Sequence, residues 1–272
     1  MYKGQLSIGT EGAQMQETLS RKSTYSNGLI EQRLAAFKPI SLLEMSTHNL
    51  QKRIDTKYLF TTETLALILP ILKADFYILE IDDKRIQTYE NLYFDTESYV
   101  FYNKHHNGHT NRYKVRKRFY RDSNLTFLEV KHKNNKSVTN KKRIRLPSDR
   151  KNIKKFITEN LPKEYKYLVP VLRNSYKRIS LISKEGVVRL TLDIDLSFSN
   201  PEFSNHKAVS GLAIAELKRS SHAKSESFER VLKYFEIKQS SFSKYCIGCS
   251  IFNHNLKKNR FKPILNQLRK FS

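Results

Sequence analysis

Two neighbouring segments, residues 111–121 (NRYKVRKRFYR) and 127–133 (FLEVKHK), limit what this chain can fold into more than any other feature. In the first, Arg112, Lys114, Arg116, Arg118 and Tyr120 occupy the even positions. Tyr113, Val115, Lys117, Phe119 and Arg121 occupy the odd ones. A strand sends alternate side chains to opposite faces, so one face carries a ladder of cations and the other is mainly apolar. The second segment repeats this, with Glu129, Lys131 and Lys133 opposite Leu128 and Val130. A helix would scatter the same charges around its surface, because its period is 3.6 residues. The pattern therefore reads as strands whose cations converge, and converging cations call for a polyanion.

Composition points the same way. The 272 residues include 50 Lys and Arg against 26 Asp and Glu, a net charge of +24. Such an excess repels itself unless nucleic acid, anionic lipid or a small polyphosphate is at hand. No apolar run approaches the ~18 residues of a membrane helix, and residues 1–14 carry no secretory pattern. The two cysteines, Cys246 and Cys249, are spaced C-I-G-C, and His254 is the nearest further ligand. Zinc would want two more donors, so the pair reads as reduced thiols of a soluble, cytoplasmic protein.

Taken in order, residues 1–28 read as a weakly ordered polar arm. Residues 29–45 read as two short helical pieces split at Pro39. Residues 51–60 alternate as a strand, with Arg53, Asp55 and Lys57 on one side. Residues 62–73 read as a helix capped by Thr62, and residues 86–94 as a strand. Residues 103–111, with three histidines, read as a solvated loop. Lys141, Arg143 and Arg145 alternate with Lys142, Ile144 and Leu146 in another basic strand, and Ser148 or Asp149 starts a helix through residue 160. Residues 168–183 are β-rich, with Tyr176 and Arg178 sharing a face. After a hairpin turn at Glu185–Gly186, residues 187–196 alternate strictly, with Arg189, Thr191, Asp193 and Asp195 on one side. Residues 197–210 read as a polar loop, 212–219 as a strand with Glu216 and Lys218 on one face, and 225–235 as a helix. Residues 242–248 form a short final segment. The basic tail at 251–272 reads as a surface helix or as a contact for acidic lipid or a partner. The sum is an α+β chain: about eight mostly antiparallel strands closing into a barrel with a charged lumen and an apolar outer wall under helices.

The segments RIDTKY, YKVRKRFY, FLEVKHK, KKRIRL, YKRISL, VRLTLDIDL, AELK and FSKY, in this order between about residues 50 and 248, resemble the VTC domain. This is the catalytic domain of polyphosphate polymerases in the triphosphate tunnel metalloenzyme superfamily. The resemblance implies an eight-stranded antiparallel tunnel over residues 29–250. It implies transfer of the γ-phosphoryl of ATP onto a growing inorganic polyphosphate chain, with Mn2+ or Mg2+. The phosphate-contacting cations would be Lys57, Arg116, Arg118, Lys131, Arg178 and Arg189. Arg53, Lys141, Arg143, Tyr176, Lys218 and Lys244 would contribute to substrate binding, and Lys142 offers an alternative register for the K-x-R segment. Glu216 would be the metal ligand, with Glu129 and Asp193 as lesser candidates. The first strand reads Arg53-Ile-Asp55-Thr-Lys57 where the wider superfamily often has ExExK, which suits the VTC branch. No specific nucleic acid is implied. A membrane protein that accepts the chain is a further partner, reached through the basic tail at the membrane periphery.

The residue types suit the chemistry. Phosphoryl transfer needs in-line positioning and charge neutralisation more than covalent help. Arg supplies a planar fork for two oxygens and Lys a movable point charge. Two other readings stay open: a metal-dependent triphosphatase on the same tunnel, and a non-enzymatic binder of nucleic acid or another polyanion.

Overall fold

The computed structural model describes residues 27–47, 53–136, 138–165, 167–202, 205–220, 222–269 and 271. The expected polar arm falls outside them, except for its last two residues, which open helix α1 (27–35). Pro39 does divide the chain after α1: β1 (Pro39–Ile40) intervenes before α2 (Leu42–Thr47). Eight long strands come next: β2 (Ile54–Thr61), β4 (Ile86–Asp95), β5 (Arg112–Tyr120), β6 (Leu125–Lys133), β7 (Thr139–Leu146), β8 (Val169–Ser183), β9 (Val188–Ser199) and β11 (Leu212–Arg219). Short strands β3 (Phe76–Leu79), β10 (His206–Val209) and β12 (Gln239–Ser240) flank them. The remaining helices are α3 (Thr62–Leu72), α4 (Val100–His106), α5 (Arg150–Asn160), α6 (Glu226–Tyr234), α7 (Lys244–Phe252) and α8 (Lys262–Leu268).

The long strands pair in the order β2-β11-β9-β8-β4-β5-β6-β7, every neighbour antiparallel. The sheet curls until its two ends face each other. Lys131 of β6 lies in the electrostatic field of Glu216 on β11 and of Asp55 and Lys57 on β2, although β2 stands near the far end of the sheet, with only the short β12 beyond it. Among the described residues β7 shares no backbone ladder with β2 or with β12, which pairs with Tyr58 and Lys57 of β2, so the barrel-like tunnel keeps a seam there. Strand β7 carries lysines and arginines along that edge, as natural edge strands often do.

Outside the curl lie two apolar layers. Phe60, Ile179, Leu181, Leu190, Leu192, Ala213 and Ala215 pack under residues of α1, α3 and α6. Val115, Leu128 and Val130 pack with Ile153, Phe156 and Ile157 of α5. The inside differs along its length. Lys57, Glu216 and Tyr176 share their strand faces with Leu59, Ile214 and Leu172 further along. These apolar residues are buried against Tyr245, Cys246, Ile247 and Cys249 of α7. One half of the bore is therefore charged, and the other is plugged by a helix.

A β-bulge makes this change of lining. Between Ser175 and Lys177 the β8–β9 register shifts by one residue, and Asp195 takes a positive φ of 52°. An extra residue reverses the facing of everything beyond it. The strict alternation expected over 187–196 therefore ends at Asp195, which turns away to an ion pair with Lys177 at 3.0 Å. Leu196 and Phe198 swing inward to meet the plug.

Four local expectations are corrected. Thr61, not Thr62, caps α3, its hydroxyl accepting from the Thr64 amide. Residues 103–106 are the last turn of α4, where His106 is buried against Tyr102 and Phe261. Residues 197–210 contain the end of β9 and β10, paired to each other. Residues 242–248 lead into α7, whose burial on all sides could not be read from a short apolar run. The tail also folds back: Phe261 and Leu268 are buried beside the plug.

Gly248 sits where the plug comes closest to the wall, and a Cβ there would lie 2.4 Å from Leu172 and 2.8 Å from Phe198. Gly248→Val should therefore cost about 2 kcal/mol of stability through overpacking. Urea unfolding checks this, and an unchanged midpoint contradicts the packed plug.

Candidate active site

The charged half of the bore is built from three acidic residues, each held between two cations from different elements. Glu129 of β6 accepts from Arg116 on β5 at 2.6 and 2.7 Å and pairs with Lys141 on β7 at 2.6 Å. Asp193 of β9 accepts a two-point hydrogen bond from Arg178 on β8, at 2.6 and 2.8 Å, and a further short contact from Lys244 at the start of α7. Glu216 of β11 binds Lys57 on β2 at 2.5 Å and Lys218 on its own strand at 2.8 Å. The pairs follow from register, since Arg116 stands opposite Glu129, Arg178 opposite Asp193 and Lys57 opposite Glu216. Opposed charges on one sheet face are adjacent by construction.

Between these groups lies an arginine–tyrosine cluster. Arg118, 6% exposed, donates to Asn91 Oδ1 at 2.8 Å and to the Tyr176 hydroxyl at 2.9 Å. Asn91 in turn donates to Asn174. Tyr89 and Tyr176 stack with centroids 5.4 Å apart, and the guanidiniums of Arg118 and Arg178 each lie 5.2 Å from the Tyr89 ring. Lys244 lies 4.3 Å from the Tyr176 ring. Arg118 is thus satisfied by neutral acceptors and leaves its charge uncompensated by direct contact.

Electrostatics record the crowding. Burial works against ionisation of Glu129, yet Arg116, Arg118 and Lys141 pull its pKa down to about 2. Burial likewise opposes the charges of Asp193 and Glu216, and their paired cations hold both well below the ordinary carboxylate range. For Arg116, burial is outweighed by Tyr93, Glu129 and Tyr176, so its pKa rises. Lys131 is open to water but hemmed in by protein, and burial pushes its pKa down despite Glu216 and Asp55. A side chain at once accessible and crowded is one that lines a wet bore.

The remaining expected residues lie nearer the mouth. Arg189 stands opposite Lys218 and donates to the Met45 carbonyl of α2. Arg53 pairs with Asp55 at 3.0 Å. Arg143 lies 4.6 Å from the Phe127 ring. Lys141, not Lys142, faces the bore: Lys142 lines a cavity of about 350 Å3 on the outer face, with Tyr113, His132 and Leu161. Sequence reading did not nominate Lys114, Tyr89, Asn91 or Tyr93 for the site. Lys114 does stand in the cation ladder of the 111–121 segment. The other three share a face of β4, where neutral residues gave no charge signal.

The chain carries a VTC domain. That family's profile matches residues 52–253, and the chain belongs to it. It is thereby a member of the triphosphate tunnel metalloenzyme superfamily. Comparison by structure finds a protein of Pyrococcus horikoshii OT3 with 16% identity and a TM-score of 0.41, covering 72% of this chain and 97% of that one. It also finds a Hippeastrum protein whose structure is described as revealing a dominant triphosphatase activity. That match has 16% identity and a TM-score of 0.43, and covers 73% of this chain and 95% of that one. No curated protein matches the sequence.

Members of the superfamily use divalent metal ions, so the donor set has to be weighed. Among the described residues no group of three or more His, Cys, Asp or Glu side chains could hold an ion. Both oxygens of Glu216 are engaged by lysines. A metal in this tunnel would therefore have one carboxylate, that of Glu216, and would need phosphate oxygens for the rest, a mode Mg2+ commonly adopts.

Lys114 supplies a pH test. Burial pushes its pKa down to about 8, helped by Lys131, Arg112 and Lys57 and despite Cys246. Its unfolded value is the ordinary 10.5. The folded chain thus bears the cost of a buried charge below about pH 8, and that penalty fades as pH rises through this value. A triphosphate bound beside Lys114 would restore the charge. At pH 9 tripolyphosphate binding should take up protons, and Lys114→Met should reduce the uptake by about one proton. Calorimetry in buffers of different ionisation enthalpy measures this, and unchanged uptake in the variant contradicts the placement of Lys114.

Proposed function

We propose that the protein is a polyphosphate polymerase, transferring the γ-phosphoryl of ATP to the end of an inorganic polyphosphate chain in the charged half of the tunnel. The observation that carries this reading is the arrangement of Lys57, Arg116, Arg178, Lys218, Lys141 and Lys244 in pairs about three shared carboxylates. Each carboxylate stores two cations in a fixed place while the bore is empty. Arriving phosphates compete for those cations without requiring the wall to move, and preorganised charge of this kind lowers phosphoryl-transfer barriers.

In the step itself, an oxygen of the chain's terminal phosphate forms a bond to the γ-phosphorus. The bond from that phosphorus to the β–γ bridging oxygen breaks, and its electron pair leaves with ADP. Arg116 and Arg178 bind and orient the phosphates. Lys57 and Lys218 neutralise charge beside Glu216, and Lys244 reaches in from the tip of the plug. A divalent ion held by Glu216 and phosphate oxygens would add further neutralisation.

The identity of the nucleophile favours polymerase over triphosphatase. A terminal phosphate is already anionic at neutral pH, whereas water benefits from a general base. Glu129, Asp193 and Glu216 are each engaged by two cations and held at low pKa, which makes them weak bases. Cys246 and Cys249 are free and buried, which suits the reducing cytoplasm this reading assigns. A membrane protein accepting the chain would meet the tail at the exposed Lys257, Lys262 and Arg269, since its apolar residues are used internally.

Incubated with ATP and Mn2+, the protein should form acid-labile chains much longer than triphosphate; orthophosphate as the sole product overturns the reading in favour of the triphosphatase. Arg116→Ala should abolish turnover while leaving the circular dichroism spectrum intact. Glu216→Gln should lose the response to metal yet still bind polyphosphate, and an unchanged metal response removes Glu216 as the ligand.

A further inference from the structure

Product has to leave a bore that is filled at one end. Leu59, Leu172, Leu196, Phe198 and Ile214 are all buried against α7, so among the described residues that half of the bore is packed with side chains. The wall itself has the seam between β7 and the opposite edge, made by β2 and the short β12 paired to Tyr58 and Lys57, where the described residues form no ladder. Resting on the polymerase reading, we propose that the growing polyphosphate leaves laterally through this seam and is held on the cationic outer surface of β7 and α5.

Charge marks the route. Residues 139–160 contain Lys141, Lys142, Arg143, Arg145, Arg150, Lys151, Lys154 and Lys155 against only Asp149 and Glu159. Asp149 is occupied in capping α5, accepting from the Asn152 amide at 2.7 Å. Glu159 lies 3.8 Å from Lys155 on an exposed face, where an ion pair is weak. Apart from Lys141, which is tied to Glu129, none of these cations except Lys155 has an ion-pair partner among the described residues. All eight are exposed. Lys151, Lys154 and Lys155 lie three and four residues apart and so share one side of α5, while Ile153, Phe156 and Ile157 face the sheet. Arg143 and Arg145 carry the same charge back to the bore, on the strand face that holds Lys141. A long polyanion laid along this surface would displace many condensed counterions at once, the source of steep salt dependence.

The same surface argues against other polyanions. A membrane-binding helix sets apolar residues against its cations, and those of α5 are taken up by the core. Single-stranded nucleic acid uses aromatic platforms for its bases, and Phe156, the only aromatic residue in 139–160, points inward. What remains is a phosphate chain without bases.

The test compares the full-length protein with its Lys151→Ala/Lys154→Ala/Lys155→Ala variant, which removes exposed side chains only. Binding is measured for long-chain polyphosphate and for tripolyphosphate, with phosphatidylserine vesicles and a single-stranded oligonucleotide as further arms. The variant should bind the long chain about tenfold more weakly and with a shallower salt dependence, while tripolyphosphate affinity stays the same. Unchanged long-chain affinity overturns the proposal. So does equal loss for both phosphates, and so does a loss confined to vesicles or oligonucleotide. Arg116→Ala keeps the two readings apart: if it leaves tripolyphosphate binding intact, the tunnel assignment fails, whatever the outer surface does.

Discussion

A carboxylate shared between two cations is the interaction on which the rest of this structure depends. A lumen lined only with lysine and arginine would repel itself apart. A lumen with one acid per base would have no pull on phosphate. Glu129, Asp193 and Glu216 stand between these limits, each stabilising two charges and leaving an excess in Arg118, Lys114 and Lys131. Taking charge out of water is costly unless geometry and hydrogen bonds offset it, and breaking such a pair exposes the full cost. The paired cations therefore stay fixed between turnovers, and a polyanion finds them already placed.

The plug and the bulge serve the same end. Burying α7 across one half of the bore fixes Lys244 beside Asp193 and leaves Ser243 to accept from Lys114 at 3.0 Å. Tyr245, one residue on, donates to the buried Asp95, whose carboxylate also accepts from the amides of Phe101 and Tyr102. Strand β4, helix α4 and the plug are thus tied at one point. Without the extra residue at Asp195, Leu196 and Phe198 would face outward and the plug would lose part of its seat.

Much of this was legible in the sequence, for physical reasons. Alternation at period two named the bore-facing residues of β5 and β6 directly, and the opposed pairs Arg116–Glu129 and Lys57–Glu216 follow once antiparallel register is assumed. Where the pattern failed, a local event had broken the period. The bulge at Asp195 reversed parity within a run that reads as perfect alternation. The seam was hidden because sequence carries no sign of whether first and last strands meet. Tyr89, Asn91 and Tyr93 were hidden because a neutral residue in a charged bore looks like any strand residue. Glu216 was read as a metal ligand with Lys218 beside it, and the structure engages both its oxygens, one with Lys57 and one with Lys218.

The central claim is that these cations converge on one extended phosphate chain. A crystal structure with a non-hydrolysable triphosphate analogue and Mn2+ tests it most directly. The phosphates should lie in the charged half of the bore, contacting Lys57, Arg116, Arg178 and Lys244, with Glu216 turned from its lysines to the metal. A triphosphate bound elsewhere on the molecule, with all three carboxylates still clasped by their cations, would contradict the account.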